Sequence, residues 1–279
     1  MNTEKHLKKM EIVYKEAEKF LYEITAPKLD VEVLEKYFNV EKKFTSKNEI
    51  LIQLLGSLQN KQMATNVIGF WKDDRKPKFR EILLDYDSVA ILSTYKADVD
   101  TLFDCFKKHF PINNSESSRN LWKTYAKSVV SACKFLSKFN DSNDFEIFIN
   151  RFSYNEFSSA ALPMLLEKEI FGLGFALACD FLKELGYTQY PKPDVHIRDI
   201  FFALGLCENN DYSAYKAVIE MARIANQTNT QPLTPYKVDK IFWLIGSGNY
   251  YLDKIEIKGN KNKAIFIEKM IRILERTDK

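Results

Sequence analysis

Hydrophobic side chains recur along most of this chain at the roughly three- to four-residue spacing of an amphipathic helix. The first such stretch extends to Ile24 and is interrupted by Ala26-Pro27, and a second covers residues 31–38. A third, more apolar stretch begins at Ile50. The run from Lys72 to Lys78 instead mixes both signs of charge, so we predict a solvated loop there.

The helical pattern continues through the rest of the chain. Its most regular stretch starts at Leu121, where apolar residues form one stripe and lysines occupy the other faces. Gly186 is predicted to end a helix in the left-handed conformation, and Thr234-Pro235 to start one with an N-cap and a first-turn proline. Further helices are predicted at residues 154–168, 175–185, 195–204, 236–245 and 262–277.

Composition supports a helical, globular protein. The 279 residues are 46% hydrophobic and 28% charged, and the 9 glycines and 8 prolines are too few for the many turns of an all-β fold. We therefore expect an all-α fold. The net charge of +3 permits an acidic partner such as nucleic acid, but so small an excess does not identify one.

Cysteine spacing and hydrophobic runs bear on metal binding and on cellular location. The cysteines form no Cys-x-x-Cys pair, so we expect no metal site and predict free, buried thiols in a reducing cytoplasm. Met1–His6 leads into a charged helix, and no long apolar run follows, so we expect no signal peptide and no membrane partner. The expected location is the bacterial cytoplasm or nucleoid. The cysteines are Cys105, Cys133, Cys179 and Cys207.

A glycine-spaced turn, Gly172-Leu173-Gly174, separates two predicted helices. Glycines tolerate positive φ and let another backbone approach closely, and the helix that follows presents unpaired N–H groups at the positive end of its dipole. A phosphate can bind at such a turn. A plain connection between two helices is the alternative, and Gly-x-Gly alone does not exclude it.

Asp194 is the candidate chemical group downstream of the turn. Lys192-Pro193 favours an extended backbone, which places Asp194 at the N-cap of the helix that begins at Val195. A capping aspartate is commonly a structural feature. The same carboxylate can also stabilise positive charge or accept a proton from a nucleophile, and one residue can do both.

The segments Ile170–Ala178 and Pro193–His196 resemble the helix-hairpin-helix (HhH-GPD) superfamily of base-excision DNA glycosylases. In that superfamily the hairpin reads roughly Leu-Pro-Gly-Val-Gly-x-x-x-Ala, and the catalytic aspartate follows in a Val-Asp-x-His-like segment. The separation of hairpin and aspartate agrees with endonuclease III-like members. A weaker match, Leu54–Gln59, is similar to the Leu-Leu-Ser-Ala-Gln stretch from which the family sends a residue into the duplex.

The resemblance implies an architecture and an activity. Two helical domains would flank a DNA-binding cleft, one formed by residues 49–187 and the other by residues 1–48 with 188–279. The protein would act, as a monomer, on double-stranded DNA that contains a damaged or mismatched base. It would extrude that base and hydrolyse its N-glycosidic bond with the help of Asp194.

The resemblance also implies roles for residues that contact DNA. Gly172, Gly174 and Ala176 would hold the backbone, with room for a monovalent cation at the phosphate contact and no other cofactor. Gln59 would fill the gap left by the extruded base, or it is a polar residue at a helix end. His196 would steady the aspartate loop by hydrogen bonding. Lys192 and Arg198 would contact phosphates, or they are solvated surface.

Ala176 is the main departure from the family pattern, because bifunctional members carry their Schiff-base lysine at this position. An alanine forms no imine, so the sequence predicts a monofunctional enzyme that uses water. A displaced lysine, such as Lys168 or Lys183, would instead give a glycosylase with AP lyase activity on oxidised purines. A non-enzymatic helix-hairpin-helix DNA-binding protein is a further alternative.

Two other features accompany the match. The cluster-binding cysteines of endonuclease III are absent, and the chain is longer than compact members between Gln59 and Ala176, with the extra length expected between Ala97 and Asn155. The aromatic residues around the two motifs are expected to be core, although one or two could stack on a flipped base. They are Phe171, Phe175, Phe181, Phe201, Phe202 and Trp243.

Overall fold

The computed structural model of the chain describes residues 3–42, 44–227 and 232–277. The chain is predominantly helical, which confirms that part of the prediction. Over the described residues the strands are limited to Asn249–Tyr250 and Ile255–Glu256, which pair antiparallel. The sequence pattern did not predict this small pair, because two residues are too few to show an alternating pattern.

The α-helices, in chain order, are α1 (Thr3–Thr25), α2 (Val31–Glu35), α3 (Lys47–Leu58), α4 (Thr65–Ile68), α5 (Lys76–Ile82), α6 (Ser88–Thr94), α7 (Val99–His109), α8 (Leu121–Leu136), α9 (Ser142–Asn150), α10 (Glu156–Glu169), α11 (Phe175–Glu184), α12 (Val195–Ala203), α13 (Asp211–Ala225), α14 (Pro235–Ser247) and α15 (Gly259–Thr277). Short 3₁₀ turns occupy Lys36–Phe38, Lys61–Met63 and Leu84–Tyr86. The two strands lie between α14 and α15.

Several helix ends follow local sequence signals. Thr234 caps α14 by accepting a hydrogen bond from the Lys237 N–H at 3.2 Å, and Gly186 follows α11 with φ +99°. Both features were predicted. The loop predicted at residues 72–78 is partly wrong, because α5 begins inside it at Lys76. Proline fits the first turn of a helix, and Pro77 occupies that position.

The chain divides into two compact units. The first, called the terminal unit here, comprises Met1–Glu41 and Gly186–Lys279, and the second, the central unit, comprises Lys42–Leu185. The core of the terminal unit forms where α1, α12, α13, α14 and α15 turn their apolar faces toward one another. Phe201, Phe242 and Phe266 pack in this core as successive edge-to-face rings, and burial of such rings stabilises the helical arrangement.

The central unit has an aromatic core of its own. Phe79 on α5, Phe106 on α7 and Trp122 and Tyr125 on α8 are all buried, and Phe110 stacks on Trp122 with ring centroids 4.6 Å apart. Helix α8 contacts α3, α6 and α7 and therefore forms the centre of this unit. A helix that packs against several others on its apolar side gives a firm support to the segments that contact it.

Two expectations concern membranes and thiols. Over the part of the chain that the structure describes, no helix is long and apolar enough to cross a membrane. Cys133 and Cys179 are buried, as expected. Cys105 and Cys207 are only half-buried, so the expectation of four buried thiols is wrong for these two.

Candidate functional site

The glycine-spaced turn lies between α10 and α11 in the central unit. The Leu173 N–H donates to the Ile170 carbonyl at 3.2 Å and closes the turn. Gly172 has φ +91°, and a Cβ at this position would lie 2.5 Å from Ser128 Oγ. Only glycine meets both conditions without strain, because the conformation is unfavourable for other residues and no space is left for a side chain.

Gly174 differs from Gly172 in both respects. Its φ of −70° and ψ of 166° suit any residue, and a Cβ there would meet nothing within 4 Å. Positive φ was predicted as a reason for both glycines, but it applies only to Gly172. At Gly174 the absence of a side chain leaves open space in front of α11.

The N-terminus of α11 lacks a side-chain cap at its N-cap position. Its N-cap residue is Gly174, which has no side chain to accept a hydrogen bond from the first turn. The N–H groups of Ala176 and Leu177 find no acceptor among the described residues, and both residues are half-buried. Unsatisfied N–H groups at the positive end of a helix dipole favour an anion, so this end of α11 is chemically suited to a phosphate.

Helix α8 holds the turn in place through Ser131. The Ser131 hydroxyl accepts a hydrogen bond from the Phe171 N–H at 2.9 Å and donates to the Glu169 carbonyl at 3.4 Å. One hydroxyl thus fixes both the end of α10 and the start of the turn. Because α8 is the central helix of its unit, the turn has a rigid support.

The structure contradicts the predicted role of Gln59. This residue ends α3 and is only 1% exposed, and its Oε1 accepts a hydrogen bond from the Phe70 N–H at 2.9 Å. A buried amide that satisfies a buried backbone N–H cannot enter a duplex without breaking that bond. Gln59 therefore has a structural role in the central unit, which is the alternative that the sequence left open.

Asp194 lies in the terminal unit and caps α12, as predicted. Its Oδ1 accepts hydrogen bonds from the His196 N–H at 2.9 Å and the Ile197 N–H at 3.2 Å. The other oxygen, Oδ2, makes no hydrogen bond to any residue that the structure describes. The half-buried carboxylate is therefore fixed by one oxygen, and its second oxygen remains available.

Burial and a second carboxylate control the ionisation of Asp194. Burial raises the pKa of Asp194 above its ordinary value, and the negative charge of Asp239 raises it further. The positive charge of Lys192 acts in the opposite direction and lowers the pKa. Asp194 is thus a stronger base than a solvated aspartate, and Asp239 contributes to this property.

Asp239 also organises the segment that leads into Asp194. It lies on α14 with 1% exposure, and its Oδ2 accepts the Lys192 N–H at 2.7 Å. The Lys192 carbonyl in turn accepts the Asp194 N–H at 2.9 Å. Sequence reasoning did not find Asp239, because no motif links α14 to residues 192–194.

His196 contacts Asp194 through its backbone rather than its ring. The imidazole packs against α14, where a Cβ at Gly246 would lie 2.6 Å from His196 Cβ. Its Nδ1 is buried and has no hydrogen-bond partner among the described residues, and burial lowers the pKa of His196. The predicted steadying role therefore belongs to the His196 N–H, and the ring is neutral near pH 7.

The predicted cationic residues have distinct surroundings. Arg198 donates to Asp211 at 2.8 Å, so its guanidinium is already paired and the predicted phosphate contact is not favoured. Lys192 is half-buried near Asp194. Of the two lysines considered for imine formation, Lys168 is exposed on α10, whereas Lys183 is 4% exposed and lies 3.8 Å from Asp180.

The aromatic residues near the two motifs divide by exposure. Phe175, Phe181 and Phe201 are buried, as expected of core residues, and Trp243 packs partly buried against the terminal-unit core. Phe171 and Phe202 are exposed, with 37% and 53% of their surfaces accessible. Over the described ranges no three His, Cys, Asp or Glu side chains are grouped to hold a metal ion.

Comparison with known proteins adds no assignment to this geometry. No protein-family model matches the chain, and neither the curated proteins nor the solved structures give a significant match. The functional interpretation therefore depends on the residues themselves and on the motifs that they form.

Proposed function

We propose that this protein is a monofunctional DNA glycosylase of base-excision repair. The observation that carries the proposal is the state of Asp194, whose Oδ1 is fixed by two backbone N–H groups while Oδ2 remains available. Burial raises the pKa of Asp194 above that of a solvated aspartate, which makes the carboxylate a better proton acceptor. The two motifs resemble those of the helix-hairpin-helix glycosylases, and for this reason we assign hydrolysis of an N-glycosidic bond to this carboxylate.

In the proposed reaction the bond between C1′ of the deoxyribose and the base nitrogen breaks, and the bonding electrons leave with the base. The Asp194 carboxylate stabilises the positive charge that develops on the sugar. A water molecule then attacks C1′ and gives a proton to Asp194, which leaves a hydroxyl on the sugar. That proton passes from Asp194 through solvent to the departed base anion, so the carboxylate is restored and a neutral free base results. The base must leave the helical stack before it can reach the carboxylate.

The turn between α10 and α11 supplies the proposed contact with the DNA backbone. Gly172 shapes the turn, and Gly174 leaves room for a phosphate at the N–H groups of Ala176 and Leu177. A monovalent cation at this phosphate contact remains part of the proposal. Ala176 cannot form an imine, which is why water is the proposed nucleophile.

A panel of duplexes, each with one damaged or mismatched base, tests the proposal. We expect base release from at least one member, strand cleavage only after alkali, and no adduct on borohydride reduction. Asp194→Asn is expected to lose the release activity. The matched control is Asp87→Asn, because Asp87 caps α6 through the same pair of contacts, to Val89 N at 2.9 Å and Ala90 N at 3.1 Å.

The two alternatives give different results in the same panel. Binding of every duplex without base release would leave a non-enzymatic DNA-binding protein. A trapped adduct would instead indicate AP lyase activity, and Lys168→Ala and Lys183→Ala would then identify the lysine. Loss of activity in Asp87→Asn equal to that in Asp194→Asn would contradict a specific role for Asp194.

A further inference from the structure

Two lysines of the central unit share one exposed phenylalanine at the turn. Lys61 Nζ lies 4.2 Å from the centroid of the Phe171 ring, and Lys127 Nζ lies 4.0 Å from the same centroid. Lys61 belongs to the 3₁₀ turn after α3, whereas Lys127 projects from α8. Segments distant in sequence therefore bring two positive charges to the same ring. The face of an aromatic ring attracts cations at these distances.

The ammonium groups of Lys61 and Lys127 differ from those of neighbouring lysines in their surroundings. Lys61 and Lys127 make no ion pair with any carboxylate that the structure describes. Lysines nearby behave differently, since Lys123 pairs with Asp100 at 2.6 Å and Lys138 with Glu169 at 2.5 Å. Within the part of the chain that the structure describes, no carboxylate therefore balances the positive charge beside Phe171.

This placement has a cost in the unbound protein. Burial lowers the pKa of Lys61, and the nearby charge of Lys127 lowers it further. Two like charges held at one ring repel each other, and an anion placed between them removes that repulsion. The pair is therefore better suited to a bound state that contains an anion than to the free state.

We propose that Lys61 and Lys127 bind one phosphate of a DNA backbone beside the turn at residues 170–174. The inference rests on the proposed function, because it takes DNA as the ligand. Lys61 Nζ lies 3.5 Å from the place that a Cβ would take at Gly172, so its charge is next to the turn itself. A phosphate has several acceptor oxygens and can bridge two ammonium groups.

Phe171 is a positioning residue for this phosphate site. Its N–H is held by Ser131, and its ring holds both ammonium groups through cation–π contacts. Phe171→Leu would keep an apolar side chain but lose the cation–π contacts. We expect weaker DNA binding from this variant with an unchanged dependence on salt, because both charges remain.

The experiment measures binding of an undamaged duplex across a series of salt concentrations, so that base excision plays no part. For Lys61→Gln/Lys127→Gln we expect the slope of log K against log salt to become shallower by about 1, since each phosphate contact contributes about 0.9. Lys61→Arg/Lys127→Arg keeps both charges and is expected to retain the wild-type slope. Lys78→Gln/Lys108→Gln removes two exposed lysines of the same unit and is the matched control.

The outcomes separate this inference from the proposed function. A wild-type slope in the double glutamine variant, or an equal change in the control, would overturn the phosphate site even if base release is observed. A shallower slope without base release from any lesion would support the site and contradict the glycosylase. If the double variant does not fold, Lys127→Gln alone decides, because Lys127 is exposed and its loss disturbs no core contact.

Discussion

The N-termini of α11 and α12 differ in which groups are present to accept hydrogen bonds from the N–H groups of the first turn. The N-cap of helix α12 is Asp194, which accepts hydrogen bonds from two N–H groups of the first turn. The N-cap of helix α11 is Gly174, which has no side chain to accept such hydrogen bonds. One helix end has its counter-charge within the protein, whereas at the other the N–H groups of Ala176 and Leu177 have no acceptor among the described residues.

The other helices of the central unit show that a cap is the common solution there. Asp87, Asp98, Asn120 and Asp141 each accept hydrogen bonds from the first turn of the helix that follows. Asp194 does the same and has in addition a raised pKa. Capping alone therefore does not make a candidate catalytic group, and burial with a second carboxylate distinguishes Asp194.

The largest expected effect separates the two roles of Asp194. Asn is as good an N-cap as Asp, so Asp194→Asn should change the free energy of unfolding by less than about 1 kcal/mol. The neutral amide cannot accept a proton, and base release should fall by about 10² to 10⁴. Thermal melting and single-turnover base release measure the two effects. If the fall in base release were fully explained by a loss of folded protein, capping α12 would be the only role of Asp194.

Gly172→Ala should give the largest change in stability at the turn. The positive φ and the short approach to Ser128 Oγ both oppose a side chain. We expect unfolding to be easier by about 2 kcal/mol or more, seen in a denaturant titration. Gly186→Ala provides a comparison at a helix end with φ +99°. A neutral result at Gly172 would show that the turn can rearrange.

Gly174→Asp would make the start of α11 resemble that of α12. The backbone conformation and open space at Gly174 accept a side chain. Asp is a better N-cap than Gly by only a few tenths of a kcal/mol, and it also restricts the unfolded chain, so thermal stability should rise slightly. The added negative charge should repel a phosphate and weaken duplex binding. Gly174→Ala is the control without charge or cap. Unchanged duplex binding in Gly174→Asp would place the phosphate elsewhere.

The smallest expected effect concerns the pH dependence of Asp194. The charge of Asp239 raises the pKa of Asp194, so Asp239→Asn should lower that pKa. Asp194 would then remain ionised at lower pH, and the acid limb of kcat/KM should move to lower pH. Asp211→Asn removes a carboxylate that is paired with Arg198 and serves as control. A shift to higher pH would contradict the assigned cause.

Features encoded by adjacent residues could be predicted from the sequence. Pro193 predicted the extended backbone that leads into Asp194. The turn at Gly172 could be predicted because it separates two helical patterns. Contacts between distant segments could not be predicted. The Asp239 bond to Lys192, the burial of Gln59 against Phe70 and the pairing of Arg198 with Asp211 all depend on tertiary packing.

The lysine pair shows the same limit. Lys61 and Lys127 belong to unrelated helical patterns, and nothing in their local sequence indicates that they meet at Phe171. The exposed ring itself was expected to be core. A charge pattern read along one helix records which face is polar, but not which other segment supplies a second charge.

Gly174 has one more consequence, which concerns the unfolded chain. A glycine has more backbone freedom than any other residue before folding, and fixing it costs about 0.5–1 kcal/mol more than fixing an alanine. Gly174 has ordinary torsion angles and empty surroundings. A glycine at this position therefore relieves neither backbone strain nor crowding in the folded protein. The chain is therefore less stable at this position than it could be, which is expected where a site is kept open for another molecule.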